Sequence, residues 1–170
     1  MHMAKCHTTK NLVFAPAVLT AVEVRHYDLG QTEFDLQAQE HTIMKLAKHN
    51  MSWRIYRDAS YNFSDLAQIY IRMRRLSEAK WYLLQSNKIS IEENDDKHTI
   101  TNLVSLALVK NDIGDSAAAR ADLVEACNLA NARGMKEKAA EINRQIQMLD
   151  QNKLASSFKY AEAADAKKDL

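Results

Sequence analysis

Six histidines, two cysteines and a few adjacent carboxylates are the side chains in this chain that could bind a metal or move a proton, and their spacing argues against both. His41 and His49 lie eight apart in one helical stretch, too far to share an ion unaided, and no His-Glu-x-x-His pattern occurs. His2, Cys6 and His7 form a terminal group suited only to adventitious metal. Glu92-Glu93 and Asp95-Asp96 fall together between Ile91 and Lys97, where they read as solvated charge and not as a paired acid and base. Cys127 lies in a helical pattern and reads as a small buried hydrophobe; two cysteines make no disulfide framework. The three glycines are scattered, so the sequence has no phosphate-cradling loop. We therefore assign no catalytic residue, no metal ligand and no cofactor, and expect no enzyme. One charged group stays open: Arg72, Arg74 and Arg75 beside Tyr70 would suit an acidic partner or a phosphate, or simply a solvated helix end near the negative pole of the helix dipole.

These residues must be positioned by helices. A chain of 170 residues that is 46% hydrophobic and 26% charged can bury one continuous core, which predicts a single globular domain. Three glycines and one proline leave little turn chemistry for β-hairpins, so the expected class is all-α. A formal net charge of +1 provides no overall field to recruit nucleic acid or an anionic membrane. No apolar run reaches the ~18 residues needed to span a bilayer.

Residues 1–31 read as an N-terminal arm or helix. Lys5 and Lys10 precede the apolar stretch from Leu12 to Val24, the order of a secretory signal, but Pro16 and Glu23 interrupt it and the small-x-small triplet Ala15-Pro16-Ala17 comes too early. Residues 32–152 carry the helical periodicity. Thr32 and Asp35 suggest a capping box for a first helix that Asn50 can stop. Ser52 is placed to cap a long helix from Trp53 to Met73, and Ser77 to cap its partner as far as Ser90. The acidic segment 91–97 has no apolar period and is expected to be a loop. Helices at His98 to Asp112, Asp115 or Ser116 to Ala132, and Met135 to about Gln151 follow. The last of these has the polar outer face of a cap that ends a stack. Residues 153–170 are expected to be weakly helical or disordered.

The chain also repeats itself. Leu66-Ala67, Tyr70, Ala79, Leu83 and Ser86 recur forty residues later as Leu106-Ala107, Lys110, Ala119, Leu123 and Ala126. In each copy small residues twelve apart flank a short break, the pattern of two helices folded back on one another with a close crossing. With Phe63 in the first copy and Leu103 and Gly114 in the second, these residues resemble tetratricopeptide repeats. Arg74 stands where the turn glycine is usual, Lys110 where Tyr is usual, and the forty-residue step exceeds the usual length, which implies longer helices or an insertion at 91–97. The resemblance implies a right-handed stack of antiparallel helical hairpins, an α-solenoid of six or seven helices. It further implies a concave groove lined by first helices, here Tyr61, Ser64, Gln68, Ile71 and Arg72 in one unit and Thr101, Val104, Leu108, Asn111 and Asp112 in the other. That groove is mixed in polarity and lacks the Lys and Asn of a carboxylate-gripping version.

The expected function is a noncatalytic module that binds a partner peptide or helix, without nucleic acid or a membrane span, and with a homodimer through a terminal helix as a further expectation. We place it in the cytoplasm. The alternatives are a periplasmic or secreted scaffold with a cleaved signal, or, further off, a helical-bundle enzyme.

Overall fold

The computed structural model describes residues 32–165, with side chains through residue 152. The N-terminal arm, the terminal His and Cys group and residues 166–170 lie outside the described residues. Six helices follow in order: α1 (Glu33–Ser52), α2 (Tyr56–Arg72), α3 (Leu76–Glu92), α4 (Asp96–Ile113), α5 (Ser116–Ala132) and α6 (Lys136–Asp165). There is no strand among the described residues, which are all-α as the composition predicts. Each helix packs on the next, most extensively α2 on α3 and α4 on α5, which are the two predicted hairpins; α2 also touches α4.

From α2 onward the helices begin at residues 56, 76, 96, 116 and 136, one every twenty residues. The same turn closes each preceding helix. Arg54, Arg74, Asn94, Gly114 and Gly134 are all left-handed, with φ of 60°, 60°, 55°, 98° and 71°. The next residue's N–H reaches five residues back to a helix carbonyl, as from Ile55 to Asn50, Arg75 to Tyr70 and Asp95 to Ser90, at 2.8–2.9 Å. This 6→1 bond satisfies one of the carbonyls that a helix end leaves unpaired.

Asn50 does not stop α1, which continues to Ser52, and the turn falls at Arg54. Ser52 and Ser77 are not caps: Ile55 and Arg75 hold those positions with no side-chain cap bond. Segment 91–97 holds the expected connection between the units, but it is shorter than expected, a turn of residues 93–95. α3 runs through Glu92 and α4 begins at Asp96, so the forty-residue step comes from longer helices and not from an insertion. Asp95 is buried and caps α4, accepting the His98 amide at 3.2 Å. The capping box at Thr32 and Asp35 is present. The backbone of α6 continues helical to Asp165, beyond the expected end near Gln151.

Two apolar clusters form the core. One joins α1, α2 and α3 through Ala47, Leu66, Ala67, Tyr70, Ala79 and Leu83, and is closed by Leu106 and Val109 from α4. The other joins α4, α5 and α6 through Leu103, Ala107, Ala119, Leu123, Ala139 and Ile142. The four crossing alanines, Ala67, Ala79, Ala107 and Ala119, are no more than 2% exposed. A methyl group at each crossing lets the backbones approach closely while Leu66, Leu83, Leu106 and Leu123 fill the flanks.

Between the clusters lies a polar seam. Ser60 Oγ and Ser86 Oγ each donate to the other's carbonyl at 2.8 Å. Asn102 Nδ2 donates to Ser86 Oγ at 2.8 Å, and His98 Nε2 lies 3.1 Å from the same oxygen. Ser60, Ser86, His98 and Asn102 are all buried. Forty residues after Ser60, Ser86 and Asn102 stand Ile100, Ala126 and Ile142, so the equivalent positions of the next interface are apolar where these are hydrogen-bonded.

Candidate functional site

The first helices of the hairpins, α2 and α4, present stripes at helical spacing that are related by the forty-residue step. On α2 the stripe is Tyr61, Ser64, Gln68 and Ile71; on α4 it is Thr101, Val104, Leu108 and Asn111, with Arg72 and Asp112 beside them. Steps of three and four keep such residues on one side of a helix. Gln68, Thr101, Leu108, Asn111 and Asp112 are exposed, and Leu108 is 58% exposed despite being apolar. Ser64 is partly buried.

Other predicted groove residues have work within the fold. Ile71 packs on the first cluster and Val104 on the second, so each offers only part of its surface. Arg72 reaches back to α1, where its Nη2 lies 3.4 Å from Gln39 Oε1, and lines a cavity of about 330 Å³ with Leu36 and Met73. The expected basic cluster is dispersed: Arg75 binds Glu78 at 2.8 Å and lies over the Tyr70 ring, while Arg74 forms the turn.

Tyr61 belongs both to the stripe and to the frame that holds it. Its ring stacks on His98 with centroids 3.8 Å apart, and its hydroxyl donates to Asp95 Oδ2 at 3.0 Å. Arg57 binds the same oxygen at 3.0 Å. Burial alone would raise the Asp95 carboxyl, but the His98 amide, Arg57 and Tyr61 outweigh it and hold the group below the usual carboxylate range. Burial likewise pushes the His98 imidazole below its ordinary value, against the Ser60 carbonyl and the Asp95 and Asp65 carboxylates. One buried acid thus ties the first turns of α2 to the first turn of α4.

The stripe continues onto α6, which sequence reasoning treated only as a cap. The same offset carried once more maps Thr101, Leu108 and Asp112 onto Glu141, Met148 and Asn152. Met148 is 61% exposed. With Leu108 and Asn111 it lines a cavity of about 180 Å³ between α4 and α6, together with Gln145 and Asn152. Nearer the start of both helices a second cavity, of about 500 Å³, is lined by Lys97, Thr101, Lys136 and Lys138. Extending the forty-residue offset by one unit was the signal that would have found Met148 and Asn152.

Among the described residues no group of three His, Cys, Asp or Glu side chains could hold a metal ion, and no helix is long and apolar enough to cross a membrane. Cys127 is buried, with its Sγ 3.7 Å from the Ala139 carbonyl. No family model, curated protein or solved structure matches the chain.

Proposed function

We propose that the protein is a noncatalytic interaction module that takes a peptide or helical segment of a protein partner on the face made by α2, α4 and α6. The observation that carries this is the pair Leu108 and Met148: two apolar side chains more than half exposed, forty residues apart, flanking one cavity on adjacent first helices. Exposed apolar surface grouped at a concavity marks binding sites more often than scattered exposure does. Helices already packed into a stack lose little conformational freedom when a ligand docks, so burial against them converts efficiently into affinity. The resemblance to tetratricopeptide repeats supports the same assignment, and the near-neutral charge favours a protein partner over a polyanion.

The test is site-specific photocrosslinking in the native host. A photoreactive residue at Leu108 should trap a partner, whereas one at Trp81, exposed on the second helix α3, should not. Equal trapping from both positions, or trapping only from position 81, overturns the assignment.

A further inference from the structure

We propose that the trough between α4 and α6 receives an extended partner segment carrying a carboxylate side chain at one end and a Leu, Ile or Met side chain at the other; this rests on the interaction reading above and names the partner's chemistry. Lys97, Thr101, Val104, Leu108 and Asn111 form one stripe on α4, and Lys138, Glu141, Gln145, Met148 and Asn152 form the facing stripe on α6. Both helices are first helices and run in the same direction, so the two cavities lie at opposite ends of one trough.

The end near the helix starts is basic. Lys97 and Lys136 make no ion pair among the described residues, and Lys138 is held by Glu141 at 3.0 Å. Glu137 is the one acid lining that cavity against three lysines. Lys136 and Lys138 also stand in the first turn of α6, where the positive end of the helix dipole disfavours cations. A carboxylate arriving there pairs with Lys97 and Lys136 and relieves that repulsion.

The other end is apolar. Its cavity of about 180 Å³ fits one branched or thioether side chain between Leu108 and Met148. Gln145 Oε1 in the same wall is shielded from water and has no hydrogen-bond partner. Rotation of the Gln145 amide toward the cavity would expose this oxygen to a backbone N–H of an extended segment and give it the partner it lacks. Lys97 and Leu108 are eleven residues apart, or roughly 16 Å along the helix. At ~3.3 Å per residue an extended segment spans this in about five residues.

The experiment selects from a random twelve-residue peptide library on the full chain and measures the enriched peptides by fluorescence anisotropy. The expected peptides carry Asp or Glu four to six positions from Leu, Ile or Met. Lys97→Glu with Lys136→Glu, and separately Leu108→Glu, should each weaken binding at least tenfold without lowering the melting temperature, since all three side chains are exposed and an acid suits the first turn of α6. Trp81→Ala should leave binding unchanged. Peptides that depend on Leu108 but show no acidic preference and ignore the lysine variants overturn the partner chemistry and leave the interaction reading standing. Failure to enrich any peptide, or peptides indifferent to Leu108→Glu, overturns both.

Discussion

Lys110 Nζ lies 2.6 Å from the Asp122 carboxylate, at the two positions that Tyr70 and Tyr82 occupy forty residues earlier as a stacked pair with ring centroids 5.2 Å apart. An ion pair and an aromatic stack thus perform the same task of locking a first helix to its second. The Lys110 and Asp122 side chains are only 16% and 13% exposed, so removing one partner leaves a poorly solvated charge. Lys110→Ala should cost about 3 kcal/mol. The double variant Lys110→Tyr with Asp122→Tyr, copying the first hairpin, should be close to neutral. Urea unfolding of both variants checks this, and a loss under 1 kcal/mol for the single variant would show the pair to be solvated.

His98 should make the fold sensitive to mild acid. Its folded-state value is lowered from 6.5 by burial, so the unfolded chain takes up a proton first as pH falls. The contribution of neutral His98 is fully present above 6.5 and is lost as pH drops below it toward the folded-state value. The urea midpoint of the wild type should therefore fall between pH 7.5 and pH 5 by more than that of His98→Gln. Parallel pH profiles for the two proteins would exclude the effect.

Arg74 pays for its left-handed backbone. A side chain at φ 60° meets a penalty of about 1 kcal/mol that glycine avoids, and Arg74→Gly removes it at the cost of a freer unfolded chain. The net expectation is a gain of about 0.5 kcal/mol. Gly134→Ala should lose about 1 kcal/mol, although a Cβ there would meet no atom within 4 Å, because the cost lies in φ alone. Opposite signs for the two changes in thermal unfolding are the diagnostic result.

Ala119 is fully buried where α5 crosses α4. Ala119→Leu should wedge the second hairpin and destabilise it by about 2 kcal/mol, with the melting temperature lowered accordingly. An unchanged melting temperature would place the crossing elsewhere.

The helical class and both crossings were legible because small residues at a fixed interval leave a pattern in the sequence, and Ala67, Ala79, Ala107 and Ala119 all sit where that pattern puts them. The turns were legible in place more than in form. Gly114 and Gly134 mark two of them and the repeat and the acidic segment locate those at Arg74 and Asn94, but the turn at Arg54 was misplaced to Asn50, and Arg54, Arg74 and Asn94 adopt the same backbone without glycine because the hydrogen bonds of the turn compensate for the strain. Segment 91–97 does hold a connection, but only residues 93–95 turn, and the solvated charge expected there is not general: Asp95 is drawn into the interior by Arg57, Tyr61 and the His98 amide. His98 escaped notice since nothing local distinguishes a buried histidine. Its partners Ser60 and Ser86 are distant in sequence and meet it only after α2, α3 and α4 have packed.

The recurring turn also works as a ruler. Since each helix from α2 onward starts twenty residues after the last, the phase of every exposed stripe depends on chain length alone. One extra residue inside α3 would rotate its remainder by about 100° and turn Ser86 away from His98. Growth or loss of length is therefore quantised: whole helix pairs of forty residues preserve which side faces outward, and smaller changes must be absorbed at the left-handed turns or scramble the face beyond them.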